Sequence, residues 1–300
     1  MSADQTRCGV IAVIGVPNAG KSTLVNQFVG AKVSIVTHKV QTTRSRIRGI
    51  AIVDATQLVY VDTPGIFTPH RRLERAMVDA AWMGAADADM VVLVVDARRG
   101  ATDEVIHIVD GLKDKARPAV LVLNKIDTVK RETLLALAEE LNAKGLFEEV
   151  FMISALNGDG VDDLQAYLAS RMLPGPWLFP EDQLSDLPQR LLAAEVTREK
   201  AYLYLHQELP YALAVDTEDW KDFKDGSVRV AQVIYIERES QKGIVLGKGG
   251  ATIKRIRSEA QQELSEMLDQ PVHLFIHVKV RENWVNDPGR YREWGLRYDA

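Results

Sequence analysis

"CGVIAVIGVPNAGKSTLVNQFVG", residues 8–30, decides the fold of the first half of the chain. "CGVIAVIG" (8–15) is an unbroken apolar run and reads as a strand buried on both faces. "KSTLVNQFVG" (21–30) carries its apolar residues at helical spacing and reads as a helix. Between them, Gly15 to Ser22 fits G-x-x-x-x-G-K-[ST]. The pattern has physical meaning only in this strand–loop–helix setting, where backbone N–H groups and a helix N-terminus converge on an anion. Gly15, Pro17, Asn18, Ala19, Gly20, Lys21, Ser22 and Thr23 are therefore expected around a nucleotide's phosphates. Lys21 should reach the β- and γ-phosphates, and Ser22 should ligate Mg²⁺.

Working outward, apolar strands alternate with helical patterns through residue 171. Strands are expected over 46–54, 57–62, 90–96, 118–124 and 149–154, with a turn at Ala55 and Thr56. Alternation of this kind makes a mostly parallel, six-stranded sheet covered by helices on both faces. The 46–62 connection is too short for a crossover helix, so that pair should be antiparallel. "LPGPWLFPED" (173–182) disfavours helix and ladder alike, and a Pro/Gly-rich linker is placed over 173–188. Domain boundaries are thus expected at 1–172 and 189–300. The second domain reads α-β-β-α-α-β, with helices over 189–207 and 251–267 and strands over 211–223, 227–240 and 272–280.

Composition narrows the classes. The 300 residues suit two domains, and 46% apolar with 26% charged residues is ordinary globular usage. A net charge of −5 argues against a protein that simply coats nucleic acid, so any such site must be a local patch. One cysteine, Cys8, excludes an intrachain disulfide or thiolate metal cluster and suits a reducing compartment. No apolar run approaches the ~18 residues that span a bilayer. The start, "MSADQTR", lacks a signal-peptide shape, so a cytoplasmic protein is expected.

Three further motifs fall at expected strand ends. In "DTPG" (62–65), Asp62 can reach Mg²⁺ through a water, and the Gly65 N–H can meet a γ-phosphate. In "NKID" (124–127), Asp127 can accept from guanine N1–H and its amino group, which adenine cannot offer. Lys125 can lie along the base, and Asn124 can tie loops together. "SAL" (Ser154, Ala155, Leu156) can present N–H groups to guanine O6. In this order the motifs resemble the TRAFAC-class, translation-factor-related GTPases over residues 7–171, with a Ras-like P-loop fold. "KVQTTRSRI" (39–47) is similar to their first switch, in which a threonine ligates Mg²⁺ and senses the γ-phosphate. Thr42 and Thr43 are both candidates, and relatives with one threonine before the arginine favour Thr43. Lys21, Thr43 and Gly65 are the expected catalytic set. Where signalling GTPases carry a water-orienting glutamine, this chain has Ile66, which implies slow intrinsic turnover. Asn18 either shapes its turn or, as in relatives lacking the glutamine, helps hold K⁺.

A second glycine loop needs its own explanation. "GIVLGKGGATIKRIRSE" (243–259) places Gly247, Lys248, Gly249 and Gly250 between two helical segments. In the α-β-β-α-α-β order this resembles a type II KH domain, whose G-x-x-G loop clamps the backbone of single-stranded nucleotides. Lys242, Lys248, Lys254, Arg255 and Arg257 lie between Glu239 and Glu259 with no acid between them, a local positive patch. Ile244, Val245, Ile253 and Ile256 can form an apolar floor or core. A GTPase domain followed by an α+β KH domain resembles the Era family over essentially the whole chain, in "QTTR", "NKID", "LPQRLLAAEVTREK" and "GKGGATIK". The resemblance implies a mainly monomeric ribosome-assembly GTPase using GTP, GDP and Mg²⁺. It also implies binding to small-subunit rRNA near its 3′ end, coupled to the nucleotide state, and peripheral contact with the inner membrane. The histidines His107, His206, His273 and His277 show no metal-ligand spacing, and Trp177, Trp220, Trp284 and Trp294 are expected to pack.

Overall fold

Six apolar runs form six strands because each is flanked by helices that cover it. The computed structural model describes residues 6–39, 42–206 and 209–300. Its chain divides into two units, one reaching to Asp186 and including Tyr291–Ala300, the other Leu187–Arg290.

In the first unit, β1 (Arg7–Ile14) leads to α1 (Lys21–Val29), and β2 (Ile47–Val53) turns through Asp54 into β3 (Thr56–Asp62). Then come α2 (Arg72–Asp87), β4 (Met90–Asp96), α3 (Asp103–Asp114), β5 (Ala119–Asn124), α4 (Arg131–Asn142), β6 (Phe147–Ile153) and α5 (Val161–Ser170). The sheet order is β2-β3-β1-β4-β5-β6, and only the β2–β3 pair is antiparallel. The central strands are buried along most of their length, since both faces meet helices: Ile11, Val13, Leu93, Val95, Leu121 and Leu123 are inaccessible. Parallel pairing brings the C-terminal ends of β1, β3, β4, β5 and β6 to one edge, where an open α/β sheet presents its ligand site.

The run expected as a linker is pinned to this unit. The Gln57 side chain accepts from the N–H groups of Leu178 (2.8 Å) and Phe179 (3.0 Å), and Trp177 Nε1 donates to Ala55 O. Ile50 N donates to Leu184 O, and Arg48 pairs with Asp186 at 2.8 Å. Prolines stop the segment from forming a regular ladder, yet the open edge of β2 still offers polar groups that need partners. The chain end also differs from expectation. Tyr291–Ala300 belongs to the first unit, where the Trp294 ring receives Arg44 (5.6 Å) and the Tyr298 ring receives Arg72 (4.4 Å).

The second unit contains α6 (Gln189–Tyr204), β7 (Leu213–Asp222), β8 (Val228–Ile236), α7 (Glu239–Leu246), α8 (Ala251–Leu268) and β9 (Val272–Val280); the short α9 (Pro288–Glu293) begins in it. Its sheet runs β7-β8-β9, antiparallel then parallel. Ala193, Val196, Ala260 and Leu264 from α6 and α8 pack on Val228, Val230 and Leu274. The strand expected over 227–240 stops at Ile236. Gln241 Oε1 accepts from the N–H groups of Glu237 and Arg238 and so starts α7 instead.

Candidate functional site

The loop from β1 to α1 floors a cleft of about 560 Å³ at the strand-end edge. Gly20 sits at φ 103°, and a Cβ there would lie 2.1 Å from Asn124 Nδ2, so only glycine fits. The helix that follows has no side-chain cap and no acid in its first turn. Its leading N–H groups are left for an anion, in contrast to α3, which Thr102 caps and Asp103 and Glu104 precharge. Lys21 folds back so that Nζ donates to Gly15 O (3.1 Å) and Val16 O (3.0 Å). Burial lowers its pKa to about 8, against the opposing charge of Asp62. Pro17, Asn18, Ser22 and Thr23 line the cleft, whereas Gly15 and Ala19 stand behind its wall.

Three hard oxygen donors meet beside Lys21. Ser22 Oγ donates to Asp62 Oδ2 at 2.7 Å, and Thr43 Oγ1 lies 3.0 Å from Ser22 Oγ and 3.3 Å from the same carboxylate oxygen. Asp62 is inaccessible, and its Oδ1 has no hydrogen-bond partner among the described residues. Burial pushes its pKa up, with the Ser22 bond and the Lys21 charge pulling the other way. Two hydroxyls and one carboxylate with an orphaned oxygen fit Mg²⁺, which keeps several waters and takes its other ligands from phosphate. Among the described residues no group of His, Cys, Asp and Glu could hold a softer metal. Thr42 faces away from this cluster: its Oγ1 bonds to Thr37 Oγ1 (2.6 Å) and Lys39 O (2.7 Å). Val40 and Gln41 of the expected first switch lie outside the described residues.

The opposite wall is built by β5 and β6. Asn124 Nδ2 donates to Ala19 O (2.8 Å), while its Oδ1 accepts from Lys125 N (2.8 Å) and Ala155 N (2.9 Å). One buried side chain thus joins the phosphate loop, "NKID" and "SAL". Lys125 takes a left-handed backbone (φ 69°) and sends Nζ to Asn18 O (2.6 Å) and Asp96 Oδ2 (2.7 Å). Asp127 is exposed in the cleft, with Ser154, Ala155 and the exposed Leu156 beside it. Asp96 was not among the sequence candidates. Its signal was its place at the end of an apolar strand, as with Asp62 and Asn124. Burial alone would raise its pKa, but the bonds and charges of Arg98 and Lys125 outweigh that and hold it below the usual range.

In the second unit, the four-residue glycine loop separates α7 from α8. Gly247, Gly249 and Gly250 have φ of 72°, 61° and 76°, and a Cβ on Gly247 would lie 2.2 Å from Thr252 Oγ1. Like α1, α8 starts at a left-handed glycine with neither side-chain cap nor acid in its first turn. Lys248 and Lys254 are exposed and make no ion pair among the described residues. Lys242 pairs with Glu239, Arg255 pairs with Glu259 and stacks on Tyr204, and Arg257 reaches Gln261. The flanking acids therefore temper the basic patch. Val245 and Ile256 belong to the core, whereas Ile244 is exposed and Ile253 partly so.

Family models match a segment in each of the two units. The family described as "50S ribosome-binding GTPase" matches residues 10–125, and the family described as "KH domain" matches 208–285. The GTPase Era of Sinorhizobium medicae is 61% identical, covering 99% of this chain and 96% of its own, and that of Brucella suis is 60% identical over 99% and 95%. The chain belongs to the Era GTPase family. A solved Era in complex with MgGDPNP and nucleotides 1506–1542 of 16S ribosomal RNA superposes with TM-score 0.92 at 36% identity, covering 97% of this chain and 99% of its own. An Aquifex aeolicus Era variant bound to GDP and aluminium fluoride superposes equally well, with the same identity and coverage. As an Era GTPase the protein binds and hydrolyses GTP through its P-loop unit, and its α+β unit is a KH domain.

Two residues set this Era GTPase apart from glutamine-bearing switches. Ile66 is 2% exposed, and its N–H donates to Gly15 O at 3.1 Å, so the side chain serves the core. Asn18 has φ 63° and donates from Nδ2 to His38 O at 2.9 Å, which leaves its Oδ1 as the amide's acceptor. Gly65 packs its backbone against Pro17 and lines the cleft. Trp284 is buried in the second unit and donates to Ala212 O.

Proposed function

We propose that this Era GTPase is a nucleotide-controlled RNA-binding switch acting in assembly of the small ribosomal subunit. Pro17, Asn18, Gly20, Lys21, Ser22 and Thr23 hold the phosphates of GTP or GDP, and Gly15 and Ala19 behind them set the path of the loop. Asn124, Lys125, Asp127 and the 154–156 loop hold guanine. Ser22 and Thr43, with Asp62 through a water, hold Mg²⁺, which supplies positive charge beside the phosphates. In hydrolysis a water attacks the γ-phosphorus and the bond to the β–γ bridging oxygen breaks. Lys21 stabilises the charge that develops, and Thr43 and Gly65 orient the γ-phosphate. Ile66 cannot orient the water, so intrinsic turnover is slow. The acceptor of Asn18 is available to a K⁺ ion at the phosphates, and replacing K⁺ by Na⁺ should then slow hydrolysis; equal rates would remove the ion.

The second unit clamps single-stranded rRNA near the 3′ end of 16S RNA. Gly247, Lys248, Gly249, Gly250 and Lys254 carry the backbone contacts, with Lys242, Arg255 and Arg257 at the margin. The observation that carries this reading is the shared design of α1 and α8: both open at a left-handed glycine with no cap and no first-turn acid. The solved Era complex with a 16S fragment supports the same assignment. The protein is cytoplasmic and mainly monomeric, and any inner-membrane contact is peripheral; no described helix is long and apolar enough to cross a bilayer. The test is RNA capture from a lysate with protein loaded with a GTP analogue or with GDP, followed by sequencing. Enrichment of the 16S 3′ segment with the analogue is expected. Equal capture in both states would break the coupling, and no capture would remove the RNA role.

A further inference from the structure

Asp96 ends β4 directly beside Asn124 of β5, the register that pairs these two residues. Its side chain is 3% exposed, and both carboxylate oxygens are engaged. Oδ1 accepts from Arg98 N (3.0 Å) and Nε (3.3 Å), and Oδ2 accepts from Arg98 Nη2 (3.0 Å) and Lys125 Nζ (2.7 Å). The second bond of the Lys125 ammonium goes to a neutral carbonyl, Asn18 O. The lysine stem is therefore stretched between its own left-handed backbone and two acceptors on different elements. A four-carbon stem loses much rotamer freedom when fixed, and a carboxylate holds an ammonium more strongly than a carbonyl does.

We propose that Asp96 is a positioning residue for the guanine nucleotide: its carboxylate fixes the Lys125 ammonium so that the lysine stem lies as a platform along the base. The role rests on the reading of Asn124–Asp127 as the base-binding loop. Asp96 lines the cleft but acts through Lys125. A competing role is purely local, because Asp96 also shapes the turn after β4, where its carbonyl accepts from Arg99 N (2.9 Å) and Gly100 N (3.1 Å).

D96N separates the two roles. The amide oxygen can still accept from Arg98 N and keep the turn, while the charge facing Lys125 is lost. K125M keeps a stem of similar length without an ammonium. GDP affinity is measured for the full chain, D96N, K125M and the double variant, with inorganic pyrophosphate as a competitor that lacks the base. D96N should weaken GDP about tenfold, equivalent to about 1.4 kcal/mol. In the K125M background the same change should matter by less than about twofold, the mark of coupled residues. Pyrophosphate affinity should stay level in D96N, since the phosphate loop is intact. Should D96N fail to fold, D96S, whose hydroxyl still accepts from Arg98 N, repeats the cycle. A tenfold loss that persists in K125M, a parallel loss of pyrophosphate, or full GDP affinity in D96N would each overturn the role. Failure of the unmodified protein to bind GDP would instead overturn the guanine site on which the role depends.

Discussion

Replacing Asn124 by alanine removes a buried side chain that joins three loops. Ala19 O loses its donor, and the N–H groups of Lys125 and Ala155 lose their acceptor. Ala19 and Ala155 are buried, so two groups are left unpaired away from bulk water, while Lys125 is half-exposed and can reach solvent. Each buried unpaired group costs about 1–3 kcal/mol. Water entering from the adjoining cleft recovers part of that, and a net loss of about 2–4 kcal/mol follows. If the whole loss falls on nucleotide binding, GDP affinity drops by about 30- to 1,000-fold. The knot already exists without nucleotide, so part of the loss should appear as lowered stability. For a unit of this size each 1 kcal/mol shifts the midpoint by about 2–4 °C. GDP titration and thermal unfolding of N124A, with and without GDP, read the two shares. Affinity within about threefold of the parent, with unchanged unfolding, would refute the reasoning.

Three other perturbations test separate elements. Gly247→Ala places a methyl 2.2 Å from Thr252 Oγ1 at φ 72°; unfolding of the second unit should move down by about 1–3 kcal/mol and RNA affinity should fall with it. The double variant K248A/K254A should weaken RNA binding evenly across sequences and reduce the slope of log K against log salt by about 1.4, read from titrations at several salt concentrations. Glu259 is held below the usual range first by its bond from Tyr204 and then by Arg255. A depressed folded pKa gives stability that is present above the unfolded value and is lost as pH falls through the folded one. In Tyr204→Phe the Glu259 carboxyl, followed by NMR, should therefore titrate higher than in the parent, and the acid loss of stability should be smaller and should end at higher pH.

Legibility in the sequence followed the distance over which a signal acts. The phosphate loop, "DTPG", "NKID" and "SAL" could be read because each lies at the end of an apolar strand, and parallel strands carry their ends to one edge. The pairing of Asp96 with Lys125 depends on β4 lying beside β5 in a given register, which no local pattern states. Thr42 and Thr43 are adjacent and chemically alike, and only the loop path turns Thr43 toward Asp62. The basic run at 242–257 was visible, but its partial neutralisation was not: Tyr204 and Glu259, 55 residues apart, meet across α6 and α8. Prolines at 174, 176 and 180 signalled an irregular segment correctly, yet irregular is not the same as free, and the open β2 edge decides where it lies. The return of Trp294 and Tyr298 to the first unit rests on cation–π contacts with Arg44 and Arg72, which carry no periodic signature.

The most direct measurement of the central claim is the affinity of the full chain for a single-stranded RNA matching the 16S 3′ end, at one stated salt concentration. It is made once with Mg²⁺ and a GTP analogue and once with Mg²⁺ and GDP. Coupling between sites is worth about 1–3 kcal/mol in typical cases, so the analogue should tighten binding by about 5- to 150-fold. Equal affinity in the two states would contradict a nucleotide-controlled RNA switch.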